Sequence, residues 1–459
     1  MRRLQAISLG FMLAASPLAV TSGLAQSLDA ALSSAYRANP DLNATRAALR
    51  ATDEGVPTAT SGYRPRVTGT ADYGYSSTDT RTPPGRQTTT DLNPAGFGLS
   101  VSQTIYNGGR VGNSVRAAES QVLGARETLR NSEQNTLLDA VTAYMNVLRD
   151  TALFNLRQNN VTVLAEQVRQ TKDRFSVGEV TRTDVAQAEA RLAGSRSDLA
   201  LAQSNLRGSV ARFKQVIGID PKKLNPVQPV AAGRLPKTQG DAVNRALRDH
   251  PAIAAALHGV DAQQLQVKVV EGELLPTVSL TGSLARRYDA VVQNDRRNSA
   301  SVVGQVSIPL YDGGSAYART RAAKETLGER RMQVDSARDR VVAAVISSWA
   351  LMEATKFQIE GAAAQVQAAE IALNGVREEY KVGQRTTLDV LNAQQELLNA
   401  RVAQVTAQRD RVVASYSVLS ATGQLSARAL GLKVATYDPK VHFEQVKDKW
   451  FGLRTPSGE

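Results

Sequence analysis

Apolar and polar residues follow two rhythms along this chain. In the first they alternate. Phe97, Leu99, Val101 and Ile105 face one way, and Gly98, Ser100, Ser102 and Thr104 the other. Val278, Leu280, Gly282 and Leu284 alternate with Thr277, Ser279, Thr281 and Ser283. Val302, Gly304, Val306 and Ile308 alternate with Ser301, Val303, Gln305 and Ser307. A period of two with one apolar and one small polar face predicts half-buried strands. At roughly ten residues such strands also match a tilted membrane span, apolar to lipid and polar to a lumen.

The second rhythm has steps of three and four and runs much further. From about Gly112 to Ser176 nothing breaks a helix, and Val115, Ala118, Val122, Ala125 and Leu129 keep its register. Val185, Ala188, Leu192, Ser195, Leu199, Ala202, Leu206, Ser209 and Phe213 then hold a heptad. Leu391, Leu398, Val405, Val412 and Leu419 recur every seven residues further on. This is a coiled-coil seam. A helix of about 60 residues reaches roughly 90 Å at 1.5 Å per residue, so these segments must project as a rod or tube.

The two rhythms occur twice in the same order, which predicts an internal duplication. Asn39-Pro40 corresponds to His250-Pro251, Arg64-Pro65 to Leu275-Pro276, and Gly108-Gly109 to Gly313-Gly314. Tyr144 corresponds to Trp349, and Gly218 to Gly423. The organisation predicted is a secretory signal over 1–25, a first repeat over 26–218 and a linker over 219–240. A second repeat covers 241–423 and a tail 424–459. Each repeat carries a helix, a β-hairpin (about 63–107 and about 276–311) and long helices (about 110–217 and about 315–422). The segments Ser76 to Pro94 and Arg287 to Ser299, rich in Thr, Pro, Asp, Asn and Arg, read as exposed loops. Tyr73, Tyr75 and Tyr288 at strand ends suit an interfacial aromatic belt. The proline-rich linker and the tail are expected to wrap the helices at mid-height.

Composition narrows the function. Arg2 and Arg3, the apolar run from Ala6 to Val20 and Gly23-Leu24-Ala25 form an export signal, with the mature chain starting near Gln26. The run is shorter than the about 20 residues that span a bilayer, and no later stretch is long and apolar enough. The absence of cysteine removes disulfides, thiolate metal sites and a lipidated cysteine together. The net charge of +12 comes without a compact cluster of basic and aromatic residues, and export argues against nucleic acid as partner. His250, His258 and His442 are the only histidines and none has metal-ligand spacing. No phosphate loop or nucleophile motif is present, so neither an enzyme nor a cofactor is expected. His250, before Pro251, reads as a helix-start surface residue. Four strands cannot close a barrel, and open edges cannot sit in lipid. If the strands span a membrane, copies must share one barrel, and three chains would give an even-numbered, twelve-stranded wall.

At the turns between the long helices stand Arg174-Phe-Ser-Val177-Gly178-Glu179-Val-Thr-Arg-Thr183-Asp184 and Tyr380-Lys-Val382-Gly383-Gln384-Arg385-Thr-Thr-Leu-Asp389-Val-Leu-Asn392. With the duplicated Pro-strand-Gly-Gly-helix order they make the chain resemble the TolC family of outer-membrane efflux and secretion channels, from about Gln26 to about Gly431. The resemblance implies a mainly α homotrimer: a 12-stranded outer-membrane β-barrel, four strands per chain, continuous with a long periplasmic coiled-coil barrel. It implies an outer-membrane location with most of the chain in the periplasm. The implied partners are outer-membrane lipid, a periplasmic adaptor, and an inner-membrane pump or ABC transporter. By the same resemblance Thr183, Asp184, Tyr380 and Arg385 hold the inner end closed by polar links between neighbouring coils. Asp389 lines the constriction, and Asn392 falls where the family carries a second acidic residue. Val177, Gly178, Glu179, Val382, Gly383 and Gln384 form the tips where adaptors dock, with Glu179 and Gln384 replacing an apolar residue common there. Rings of Asp select cations by their local field, which outweighs net charge screened beyond roughly 8 to 10 Å. A first-turn Asp also stabilises its helix without any pore. The competing reading is a trimeric coiled-coil stalk or adhesin without a lumen.

Overall fold

The computed structural model describes residues 26–456 and 458; the export signal over 1–25 lies outside the described residues. The chain begins with α1 (Leu28–Ala38), α2 (Pro40–Asp53) and α3 (Gly55–Thr60). Strands β1 (Arg66–Tyr73), β2 (Ser76–Thr82), β3 (Arg86–Leu92) and β4 (Ala95–Asn107) follow. The long helix α4 (Arg110–Ser176) then turns into α5 (Arg182–Ile217). After an irregular stretch come α6 (Gln239–Asp249), α7 (Pro251–Glu271), β5 (Thr277–Tyr288) and β6 (Arg296–Ser307). A second long helix, α8 (Ser315–Lys381), turns into α9 (Thr387–Ala421). The short helices α10 (Ala427–Leu430) and α11 (Pro439–Val446) end the described chain.

α4 and α8 are each 67 residues long, about 100 Å at 1.5 Å per residue. α5 packs back along α4, and α9 along α8, while α9 also packs on α4. On α5 every heptad position named above from Val185 to Phe213 is buried or half-buried. Between Glu189 and Arg207 the positions in between are exposed. The seam is where the neighbour lies. The main core sits nearer the middle of α4. There Leu32, Leu42, Leu137, Val141, Tyr144, Phe213 and Ile217 are almost wholly shielded. The Tyr144 hydroxyl lies 2.7 Å from the Gln26 carbonyl and 2.9 Å from that of Asn225, pinning chain start and linker to mid-helix.

β1, β4, β5 and β6 form one antiparallel sheet in the order β1-β4-β5-β6, so the two hairpins join through β4 and β5. The register sorts the side chains, because directly opposed residues share a face. Val67 stands opposite Val101, Leu99 opposite Leu284, and Val278 opposite Val306. On the other face Thr68 opposes Ser100, Ser100 opposes Ser283, and Ser283 opposes Ser301. The apolar row lies open: Val67 is 61% exposed, Leu284 59% and Val302 76%. Strands β1 and β6 are the sheet's open edges.

Three expectations need correction. Ile105 does not continue the apolar row, because β4 carries a bulge between Thr104 and Tyr106 and Tyr106 takes the place opposite Val278. A bulge adds one unpaired residue and resets the alternation, which a pattern of fixed period cannot anticipate. The segment from Ser76 to Pro94 is not a loop, and of Arg287 to Ser299 only the residues between Tyr288 and Arg296 form one. β2 and β3 pair from Ser76↔Leu92 to Thr82↔Arg86 and extend the first hairpin as a ribbon. Thr78, Thr80, Thr82, Thr88 and Thr90 are β-branched and suit extended backbone as well as they suit solvent. The tail starts at mid-height, where the Ala427 amide donates to Glu133, but it does not stay there. The Tyr437 amide donates to the Tyr36 hydroxyl, His442 Nδ1 lies 3.0 Å from the buried Asp53, and Arg126 stacks on Phe443. The Lys449 carbonyl accepts from Arg64, two residues before β1.

Candidate functional site

The two helical turns far from the sheet are built alike. Val177 and Val382 close the long helices, and Gly178 and Gly383 follow with φ of +82° and +80°. A side chain at such φ is strained, so glycine is the fitting residue at both. The Gly178 amide donates to Phe175 and that of Glu179 to Arg174, orphan carbonyls of a helix end. The amides of Gly383 and Gln384 donate to Tyr380 and Glu379 in the same way. The Val177 and Val382 amides donate to Phe175 and Tyr380, and the two residues are 70% and 71% exposed at the extreme end of the helices.

Each turn then opens its helix with a capping box. Thr181 caps α5: its amide and hydroxyl donate to Asp184 Oδ2 at 2.9 and 2.7 Å, and the Asp184 amide returns a bond. Thr386 and Asp389 repeat this on α9 at 2.9 and 2.8 Å. The Thr181 hydroxyl, then its amide, hold the Asp184 carboxyl below the usual carboxylate range. The Thr386 amide and hydroxyl do the same for Asp389. Both acids therefore serve their own helices first. Arg385 donates Nε to Glu379 at 2.7 Å, and Thr183 is exposed. The Tyr380 hydroxyl lies 3.3 Å from that of the buried Thr387.

Within the chain the two turns are joined by two of the predicted residues, Tyr380 and Asn392, each meeting an arginine outside the predicted set. The Arg174 guanidinium lies 4.9 Å from the centre of the Tyr380 ring, crossing from the first turn to the second. Arg191 Nη2 donates to Asn392 Oδ1 at 2.9 Å, linking α5 to α9. Beneath them Leu391 of α9 packs with Leu164, Val168 and Ala188 of the first pair. Asp184 and Arg385 keep their local partners. Arg174 and Arg191 were not legible as site residues, because their partners are about two hundred positions away. His250, read as a surface residue, is half-buried and caps α7 by accepting from the Ala252 amide; desolvation lowers its pKa.

With this geometry, the comparisons are direct. The family described as "Outer membrane efflux protein" matches residues 31–219 and 242–424, most of the chain. The chain belongs to that family. It is 43% identical over 455 residues to the outer membrane efflux protein BepC of Brucella suis, covering 98% of this chain and 97% of that one. It is 26% identical over 417 residues to the outer membrane protein TolC of Escherichia coli, covering 85% and 81%. The crystal structure of the Campylobacter jejuni CmeC outer membrane channel shares the fold, with a TM-score of 0.78 at 19% identity over 92% of this chain and 89% of that one. The TolC resemblance thus holds over most of the chain. Its place is the outer membrane, and its class is that of efflux and secretion ducts. Among the described residues no helix is long and apolar enough to cross a membrane.

Proposed function

We propose that this member of the outer membrane efflux protein family works as a homotrimer. Its three four-stranded sheets close one twelve-stranded barrel, and its long helices line a periplasmic conduit. The sheet carries the reading. One face presents Val67, Leu99, Leu284 and Val302 to the outside, the other is small and polar, and both edges lack partners within the chain. In hydrocarbon an unpaired strand edge costs several kcal/mol per group, so the edges must find each other. Copies joined β6 to β1 satisfy that requirement and turn the polar faces inward. A stalk without a lumen would have no use for the sorted faces.

The conduit is gated at the helical turns. Arg191–Asn392 and Arg174–Tyr380 hold the two helix pairs of one chain together. Thr183, Asp184, Tyr380 and Arg385 are placed on the exposed end where neighbouring chains would meet, and link them. Asp389 supplies one ring of three carboxylates at the narrowing, and Asn392 takes part by positioning Arg191 rather than by charge. The exposed Val177 and Val382, with Gly178, Glu179, Gly383 and Gln384, form the surface a periplasmic adaptor would contact. An inner-membrane pump or ABC transporter supplies substrate and energy.

The test is conductance of the purified protein in a planar bilayer beside Asp184→Ala and Arg385→Ser. Small cation-selective steps that grow in either variant are the expected result. Silence from all three, with a soluble protein and no barrel, would replace the conduit by the stalk.

A further inference from the structure

The tail that climbs from mid-helix to the sheet ends in exposed apolar side chains. Trp450 is 65% exposed, Phe451 87% and Leu453 fully exposed. A segment that is merely tied down for stability would fold such residues inward. Here they are held out. Arg64 Nη1 donates to the Lys449 carbonyl at 2.7 Å, and the same guanidinium lies 4.6 Å from the Trp450 ring centre. Lys449 Nζ in turn donates to the Arg454 carbonyl at 2.6 Å, closing the segment on itself around Gly452, whose φ is +111°. The result is a short turn with an aromatic pair and a leucine at its surface and Lys449 and Arg454 at its two ends.

Its level in the molecule identifies what it faces. Arg64 precedes β1 by two residues, and Gln103 near the end of β4 donates to the Tyr63 carbonyl at 2.7 Å. The turn therefore stands at the helix-side end of the sheet. Other large side chains are exposed at that level: Tyr63 at 57%, Tyr106 at 46%, Leu310 at 91% and Tyr311 at 81%. Tyr106 continues the apolar row of the sheet, and Tyr63, Leu310 and Tyr311 lie beyond the strand ends. Trp and Tyr with flanking Lys and Arg prefer the boundary between hydrocarbon and headgroups, where the ring is shielded and the cation meets phosphate.

We infer that the turn from Lys449 to Arg454 is a membrane foot that inserts Trp450, Phe451 and Leu453 into the periplasmic leaflet, with phospholipid as its partner. The inference rests on the reading that the sheet lies in the membrane. The foot gives a chain without cysteine a lipid contact at the level where the barrel meets the periplasm. It also explains why the tail is fastened along its whole climb: each contact from Tyr437–Tyr36 to His442–Asp53 fixes the height of the last turn.

The sequence has two tryptophans, and Trp349 is buried among the helices, 8% exposed. In full-length Trp349→Phe, reconstituted into phosphatidylcholine–phosphatidylglycerol vesicles, Trp450 is the sole emitter. Its emission should be blue-shifted and quenched by lipids brominated near the headgroup more than by lipids brominated near the methyl end. A reference variant carries Val302→Trp together with Trp349→Phe and Trp450→Phe, and reports the sheet by quenching from deep bromines. A quenched reference beside an unquenched, red-shifted Trp450 would overturn the foot and leave the barrel standing. An unquenched but blue-shifted Trp450 would overturn it in favour of cover by a neighbouring copy. No quenching of either would remove the barrel and the foot together. If Trp349→Phe does not assemble, the difference between the unaltered protein and Trp450→Phe gives the same readings.

Discussion

Asp184 and Asp389 each close a capping box on their own helix, so their charge stabilises the turns whether or not a neighbouring chain is present. Both carboxyls sit below their ordinary pKa because Thr181 and Thr386 bond the ionised form. A depressed carboxyl contributes stability that is complete above the unfolded pKa, near 4, and is lost as pH falls through the lower folded value. Amide protection of peptides covering 174–190 and 379–395 should thus hold from pH 7 to about 5 and drop below about 4. Protection that is flat down to pH 3 would show that the boxes do not hold the turns. Arg191→Ala removes the bond to Asn392 without touching either box. It should raise single-channel conductance while leaving that amide protection unchanged, and unaltered conductance would take Arg191 out of the gate. At this scale the turn chemistry was legible in part: Val-Gly and a first-turn Asp announce a helix end and a helix start, while the capping threonines Thr181 and Thr386 emerged only in the structure. The pairings Arg174–Tyr380 and Arg191–Asn392 were not, since nothing local to either residue names its partner.

α9 ends against the start of α7, and Gly423 is the point of contact. Its φ is +78°, and a Cβ there would meet the His250 Cα at 3.0 Å and the Asp249 carbonyl at 3.1 Å. Gly423→Ala combines backbone strain with that clash and should cost about 1 to 3 kcal/mol, read as a lower midpoint in thermal unfolding. Gly194→Ala, on a helix with open space around it, serves as the control and should be neutral or slightly stabilising. The β2–β3 ribbon makes the opposite prediction. Its residues from Thr78 to Gln87 are exposed, and it forms a separate sheet from β1-β4-β5-β6. Deleting that stretch should leave the oligomer intact in chemical cross-linking; a monomer would make the ribbon part of the assembly. The alternation that marked the strands survived in the structure except at Ile105, where the bulge moves Tyr106 onto the apolar row, and at Ile308, which lies just past the end of β6. The long helices were legible for a simpler reason. Over 67 residues a period of 3.6 accumulates too much phase for any other structure to fit.

Among the described residues the outer edges of β1 and β6 are unpaired, and the absence of cysteine makes that testable. Thr70→Cys combined in turn with Ser299→Cys, Ser301→Cys and Val303→Cys places thiols on the polar face of the two edges. Within one chain β4 and β5 stand between them, so oxidation should cross-link copies through one of these pairs. Bands at two and three chain masses, and none beyond, are expected. A ladder without limit would mean open polymerisation, and monomer alone would mean the edges never meet.

Hydrophobic periodicity, turn residues and the doubled order of Pro and Gly-Gly marks determined the long helices, the strands of the main sheet and the family by themselves, because each is a local or repeating property of the chain. Tertiary structure decided the rest. That β4 of the first hairpin pairs with β5 of the second depends on a contact across about 180 residues, and strand patterning specifies a face, not a partner. The tail illustrates the same limit. Its residues carry no pattern that fixes its path, and Tyr36, Asp53, Arg126 and Arg64, all distant in sequence, carry it up to the sheet and turn Trp450 outward.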